Sequence, residues 1–274
     1  FTIIFKNINR NNWGDLDLSN ITSAKELIIP ASFHGSLNLR GLTSAADLTI
    51  PADFQGLLNL SGLKTAKSLN IPHNFSGTLN LSGLQQAADL NIPIDFQGSL
   101  ILNGLTDPLG LILPKHLAGN LELNKLTDAT HLFLPDYIGG NLCLQNLISS
   151  TNLNLPKYIG KSLDLSNLEV AQDLVLPSII NGSLYLTSLS ISNNLNLPKY
   201  IAGDLYLSNL YNAHNLVLPE FIGGYLDLSN LTSAEGLLLP IDFDLSKLLV
   251  PYNIEEEILN NPDKYFRKEQ HIHR

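Results

Sequence analysis

The amino-acid sequence predicts a repeat solenoid: a β-solenoid of eleven 21-residue coils with a parallel β-sheet and a short helical cap at the C-terminal end. Two observations lead to this prediction. Eleven of the 14 prolines recur at a constant step of 21 residues, from Pro30 to Pro240. The motif Leu-x-Leu recurs at the same step, from Leu16 to Leu226, with no insertion or deletion.

Each unit predicts two short strands. The alternation in Leu-x-Leu is typical of a strand with one buried face. A second motif, Leu-x-Ile/Leu-Pro, begins 11 residues later and predicts a second strand, which its proline ends because proline donates no hydrogen bond. The glycine before the first strand, such as Gly56, predicts a corner with positive φ. The alternation of asparagine and glycine at positions such as Asn20 and Gly62 is interpreted as turn chemistry, because both residues tolerate left-handed backbone.

The inward positions are nearly uniform along the repeats. One corner position is alanine in eight of the eleven units, which predicts a site with no room for a large side chain. The first units pair isoleucine with phenylalanine, as in Ile50 and Phe54, whereas later units pair leucine with isoleucine, as in Leu134 and Ile138. Because such exchanges conserve core volume, the change near Leu113 predicts two sub-blocks of one continuous stack.

The two ends depart from the repeat, as the caps of a solenoid do. Residues 14–244 form the predicted solenoid. Residues 1–13 are predicted to be an N-terminal cap strand, with Trp13 covering the first coil. Residues 245–274 are predicted to be a C-terminal cap helix and a polar tail, with Asn253 as the helix N-cap because acidic residues follow it.

Composition excludes several classes of function. The net charge of −9 disfavours nucleic acid as a partner, because phosphate binding needs a basic face. The apolar runs are too short to span a membrane, and the single cysteine, Cys143, cannot form an internal disulfide. The sequence contains no phosphate loop, dinucleotide fingerprint or nucleophile elbow. We therefore expect a protein that is not an enzyme and that has no cofactor.

The repeat, seen for example in Leu134–Leu153, resembles a leucine-rich repeat over residues 14–244. It is most similar to the short repeats of bacterial leucine-rich-repeat proteins, including effectors that pathogens deliver into host cells. It departs from them because apolar residues such as Leu42 replace the usual asparagine, and both halves of the unit look strand-like. The resemblance implies protein recognition by a bacterial protein secreted into the host cytoplasm, or otherwise a cytoplasmic one.

The outward residues of the first strand form a varied row, and its C-terminal part carries the candidate site. Exposed aromatic residues flanked by carboxylates are typical of an interaction hot spot that prefers a basic protein surface. The alternative is that tyrosine has good strand propensity and stacks along a ladder. The candidate partner-binding residues are Tyr185, Tyr206, Tyr225, Asp164, Asp204 and Asp227.

Other outward residues are weaker candidates. The second motif carries an apolar row in its later units, which indicates either a partner or dimer contact or, as we favour, a convex surface of strand-forming residues. Cys143 has no neighbouring base in the sequence and is interpreted as a bystander thiol. Only His271 and His273 have a metal-ligand spacing, and they lie in the polar tail, so no metal site is predicted.

The leading hypothesis is a protein–protein interaction module, a rigid scaffold that acts as a bacterial effector on a host protein. The alternative is the substrate-recognition domain of a larger effector enzyme such as a ubiquitin ligase, with which the absence of an initiating methionine is compatible. A lattice-binding solenoid of the ice-binding or glycan-binding kind ranks low, because the outward row lacks a repeated threonine. The sequence leaves the partner, the organism and the oligomeric state open.

Overall fold

The computed structural model describes residues 14–172, 174–192 and 195–268. Its main element is a parallel sheet of twelve strands, which we call the long sheet. Every coil contributes one strand, and the C-terminal cap adds the twelfth. The strands are Leu16–Asp17, Leu37–Asn38, Leu57–Asn59, Thr78–Asn80, Ser99–Ile101, Leu121–Glu122, Leu142–Cys143, Leu163–Asp164, Leu184–Tyr185, Leu205–Tyr206, Leu226–Asp227 and Leu248–Leu249.

The pairing register of the long sheet reproduces the sequence period. Leu37 pairs with Leu58, and Leu58 pairs with Leu79, so each step along the sheet advances the chain by 21 residues. From the second coil onward both leucines of the motif are fully buried, as Leu37 and Leu39 illustrate, and a third leucine, Leu42, joins them. The predicted solenoid of stacked parallel coils with a leucine-rich core is therefore confirmed.

The second strand lies elsewhere than predicted. The residues after the repeat proline pair with one another, whereas the Leu-x-Ile/Leu-Pro segments form only isolated bridges, as between Val175 and Asn196. The prediction that proline ends a strand is therefore wrong, because the proline stands just before one. We call this second parallel sheet the short sheet. Its six strands are His116–Leu117, Tyr137–Ile138, Tyr158–Ile159, Ile179–Ile180, Tyr200–Ile201 and Phe221–Ile222.

The second residue after the proline explains why the short sheet begins in the fifth coil. In the first coils this residue is a turn former such as Asp53, and the backbone closes a turn in which the amide of Phe54 donates to the carbonyl of Pro51 at 3.3 Å. From His116 onward it is aromatic or β-branched, as in Tyr137, and the segment is extended. The predicted sub-block boundary coincides with this change, and the long sheet runs through it unbroken.

The predicted positive φ at the glycine corner is wrong, whereas the turns predicted at positions such as Asn20 and Gly62 are confirmed. Neither Gly56 nor Gly62 has positive φ; a Cβ at Gly56 would overlap the carbonyl oxygen of Gly35, and one at Gly62 would overlap that of Arg40. These glycines are needed because neighbouring coils approach closely. The left-handed position is the residue before the second motif in each described coil: Glu26, Asp47, Ser68, Asp89, Gly110, His131, Asn152, Asn215 and Gly236.

The C-terminal cap contains the predicted short helix. A 3₁₀ turn, Leu245–Lys247, leads to the strand Leu248–Leu249 and then to helix α1, Tyr252–Asn260, and helix α2, Pro262–Tyr265. Asn253 does not cap α1, because the proline at position 251 occupies the N-cap and its carbonyl already accepts the first helical hydrogen bonds. None of the helices within the described ranges is long and apolar enough to cross a membrane.

The segment after α2 packs on the solenoid rather than extending as a polar tail. Tyr265 is buried, and Phe266 forms a parallel bridge with Leu239 of the last coil. The backbone amide of Arg267 donates to the carbonyl of Leu239 at 3.0 Å. The predicted N-terminal cap with Trp13 and the rest of the tail lie outside the described residues.

Candidate functional site

The outer row is the line of solvent-facing residues between the two leucines of each Leu-x-Leu motif. The structure places four of the six candidate residues next to one another in this row. Asp164 pairs with Tyr185, Tyr185 with Tyr206, and Tyr206 with Asp227. Because adjacent strands lie ~4.8 Å apart, these four side chains form one continuous line. We call these four residues, together with Asp204 and Tyr225, the tyrosine–aspartate patch.

The two tyrosines at the centre of the patch are stacked. The ring centres of Tyr185 and Tyr206 lie 4.8 Å apart, and the ring planes differ by 8°. The hydroxyl of Tyr206 donates to Oδ2 of Asp204 at 3.2 Å. Burial, together with the nearby Asp204 carboxylate, raises the pKa of Tyr206 above its usual value. The phenol therefore remains a protonated donor near neutral pH.

Asp204 also belongs to a second row, formed by the residues just before the first leucine of each motif. In this row a side chain of one coil accepts the backbone amide of the next. The amide of Asp204 donates to Oγ of Ser183 at 3.0 Å, and the amide of Tyr225 donates to Oδ1 of Asp204 at 2.8 Å. One carboxylate thus bonds the hydroxyl of Tyr206 and the backbone amide of Tyr225. These hydrogen bonds fix the position of the patch on the surface.

Turn chemistry explains why aspartate and asparagine recur in the outer row. Oδ1 of Asp164 accepts the amide of Ser166, and Oδ1 of Asp227 accepts the amide of Ser229, both at 3.0 Å. Asn59 makes the same turn in the N-terminal half. The two aspartates thus serve the turn and, half-buried at the surface, also contribute to the acidic character of the patch.

Cys143 occupies the outer row between Glu122 and Asp164. Burial, and to a smaller extent the two neighbouring carboxylates, raises the pKa of its thiol to about 11. A thiol that stays protonated near neutral pH is a poor nucleophile. Within residues 14–172, 174–192 and 195–268 no group of three or more side chains has a metal-binding arrangement. His271 and His273 lie outside these residues.

Sequence reasoning missed an aromatic row on the short sheet. Its outward residues are exposed and stack in pairs: the ring centres of Tyr137 and Tyr158 lie 4.7 Å apart, as do those of Tyr200 and Phe221. The signal in the sequence is the aromatic or β-branched residue two positions after each repeat proline. The row consists of His116, Tyr137, Tyr158, Ile179, Tyr200 and Phe221.

The apolar row of the second motif is exposed, as the sequence indicates, but it is discontinuous. Its most exposed members in the later coils include Phe133 and Val175. Asn154 and Asn196 interrupt the row, and Asn196 bridges its neighbours through the backbone. The row is therefore a set of separate apolar side chains rather than one apolar stripe.

Comparisons of the chain with protein-family models, with curated proteins and with solved structures found no match. The repeat geometry and the chemistry of the two sheet faces are therefore the features that bear on function. On the long sheet, the tyrosine–aspartate patch brings aromatic side chains, carboxylates and hydrogen bonds that fix their positions together in one place.

Proposed function

We propose that the chain is a non-catalytic protein-binding scaffold that binds its partner through the tyrosine–aspartate patch of the long sheet. The observation that carries this proposal is the stacked pair of Tyr185 and Tyr206 on adjacent strands. Tyrosine is enriched in binding hot spots because it supplies a large apolar surface together with a polar tip.

The rigidity of the patch supports this function. The two rings stand on strands whose inward leucines are fully buried, and Asp204 fixes the hydroxyl of Tyr206. Side chains that are already ordered lose little conformational entropy when a partner binds. The patch therefore needs no rearrangement to form a contact surface.

The charge of the patch indicates the chemistry of the partner. Asp164, Asp204 and Asp227 surround the tyrosines on a chain whose net charge is −9. Lys247 follows Tyr225 in its row, since Leu226 pairs with Leu248, but its ammonium group donates to the carbonyl of Gly223. Complementary charge speeds encounter and excludes like-charged surfaces, so we expect a protein with a basic surface.

Two finer predictions rest on the resemblance to leucine-rich repeats. One is that the scaffold is a bacterial effector that acts on a host protein. The other is that it selects substrates for a larger enzyme such as a ubiquitin ligase. Both require the patch to bind a protein, so that step is tested first.

The experiment is affinity capture on immobilised chain from bacterial and mammalian cell lysates, with mass spectrometry of the retained proteins. The test variant replaces Tyr185, Tyr206 and Tyr225 by alanine. The matched control replaces three exposed tyrosines of the short sheet: Tyr137, Tyr158 and Tyr200. We expect the native chain and the control variant to retain the same basic proteins, and the test variant to lose them. Equal retention by all three columns would reject the patch as the binding surface.

A further inference from the structure

The short sheet ends at an unpaired edge near the C-terminal cap. The strand Phe221–Ile222 pairs with Tyr200–Ile201 on one side, and the described chain supplies no strand on its other side. The ladder stops because the next coil closes a turn, in which the amide of Phe243 donates to the carbonyl of Pro240 at 3.2 Å. Asp242, a turn former, stands there where the six preceding coils have an aromatic or β-branched residue.

The hydrogen-bond pattern shows which backbone groups this edge presents. Ala202 donates its amide to the carbonyl of Ile180 at 2.9 Å, and Gly223 donates to that of Ile201 at 3.0 Å. Ile201 pairs with Ile222, and the carbonyl of Ile201 faces the Phe221–Ile222 strand. In a parallel ladder, when one residue of a pair bonds towards the partner strand, the amide and carbonyl of the other residue face away from it. The amide and carbonyl of Ile222 therefore point away from Ile201, and no backbone group of the described residues bonds to them.

A groove lies beside this edge. It has a volume of about 1000 Å³, the upper end of the usual range for ligand sites, ~300–1,000 Å³. The bridge between Phe266 and Leu239 fixes its far wall on the solenoid. The apolar and aromatic residues that line it include Phe221, Ile222, Leu238, Ile241, Phe243 and Phe266.

The geometry points to this groove, which we call the edge groove, as a binding site for an extended peptide segment of a partner protein. The segment adds to the short sheet as a seventh strand, parallel to Phe221–Ile222. Its backbone pairs with the amide and carbonyl of Ile222, as peptides do when they extend an exposed sheet edge. This site is separate from the tyrosine–aspartate patch and does not depend on the function proposed for it.

The existing strands define the side chains that the segment needs. In Tyr200–Ile201 the isoleucine is buried in the core, and the tyrosine ring stacks on Phe221 at 4.7 Å. A segment with an aromatic residue followed by a β-branched one reproduces both contacts. Its β-branched residue packs beside Ile222 and Phe243, and its aromatic residue stacks on the outer side of Phe221.

The probe for this site is a fluorescein-labelled peptide with the sequence of residues 196–204, Asn-Leu-Pro-Lys-Tyr-Ile-Ala-Gly-Asp, titrated with the full chain by fluorescence polarisation. In the chain, the amide of Ala202 donates to the preceding strand. N-methylation of the corresponding probe alanine removes this donor, whereas N-methylation of the preceding isoleucine leaves it in place. We expect the first change to weaken binding at least tenfold and the second to have little effect.

A matched pair of variants tests the location. Ile241 and Ile94 both follow a repeat proline and are exposed by 45% and 82%, but only Ile241 lines the edge groove. We expect Ile241→Arg to weaken probe binding about tenfold and Ile94→Arg to leave it unchanged. Absence of binding at 1 mM unmodified probe would overturn the proposal. Equal binding of the two N-methylated peptides, or equal binding of the probe by the two variants, would also overturn it. A concentration-dependent dimer that the probe dissociates would also overturn it, because a second copy would then occupy the groove.

Discussion

The rings of Tyr185 and Tyr206 lie 4.8 Å apart and within 8° of parallel, on adjacent strands whose inward leucines are fully buried. The distance equals the strand spacing, so the coil geometry itself produces the stack. Asp204 then holds the hydroxyl of Tyr206 from the same coil. A surface feature of this kind therefore depends on correct stacking of the coils.

We expect Asp204→Asn to lower the pKa of Tyr206 towards its usual value. Burial and the Asp204 carboxylate both raise this pKa, and the substitution removes the charge while keeping the shape. NMR titration of tyrosine labelled at Cζ measures the change. As a control, Asp263→Asn, in the cap helix, should leave the pKa of Tyr206 unchanged. A pKa of Tyr206 that is unchanged or higher in Asp204→Asn would contradict the described contact.

Phe54 is fully buried, and its ring centre lies 6.0 Å from those of Phe33 and Phe75. Phe54→Ala should lower the free energy of unfolding by ~3–5 kcal/mol, because a large buried ring is lost and a cavity remains. Phe133→Ala is the matched control: this ring is 77% exposed, so we expect little change. Chemical denaturation followed by circular dichroism compares the two. Similar losses would show that the phenylalanine ladder is not core.

The left-handed position before the second motif predicts an unusual benefit from glycine. Ser68 has φ of 65°, a conformation that costs a side-chain-bearing residue ~1–2 kcal/mol and glycine little. We expect Ser68→Gly to leave the melting temperature unchanged or to raise it. The adjacent Lys67→Gly should lower it, because φ is not positive there and glycine adds flexibility to the unfolded chain. The reverse order of melting temperatures would reject the described coil geometry.

Cys143 should be alkylated slowly at neutral pH. Its thiol pKa is raised to about 11, so the rate of reaction with iodoacetamide should keep rising with pH well beyond the range of an ordinary thiol. Glu122→Gln should move the pH profile of alkylation only slightly to lower pH. The shift is small because burial, which this substitution leaves in place, is the larger cause of the raised pKa. An alkylation profile centred near the ordinary thiol pKa of ~8.5 would contradict the placement of this residue.

The period of the sequence determines most of the fold. The 21-residue step predicts the coils, the long sheet and the buried leucines, because parallel strands of equal register must repeat identical inward residues. The position of the second strand was missed, since the choice between turn and strand depends on one residue after the proline, such as Asp53 or Tyr137. Pattern reasoning on leucines does not weigh that residue.

The candidate site was predictable in its alignment but not in its contacts. The constant step places Tyr185 beside Tyr206 in any parallel solenoid of this period. That Asp204 bonds both Tyr206 and the amide of Tyr225 depends on side-chain conformations that the sequence does not specify. The edge groove could not be predicted from the sequence either, because it depends on the packing of Phe266 against the last coil.

The most direct test of the proposed function is the dissociation constant of the captured partner, measured by isothermal titration for the two triple-tyrosine variants. If the tyrosine–aspartate patch binds the partner, changing Tyr185, Tyr206 and Tyr225 to alanine should raise the dissociation constant at least ~100-fold, as expected when hot-spot residues are lost. Changing Tyr137, Tyr158 and Tyr200 should alter it by less than ~threefold. Equal effects, or the larger effect from the short-sheet variant, would contradict the account.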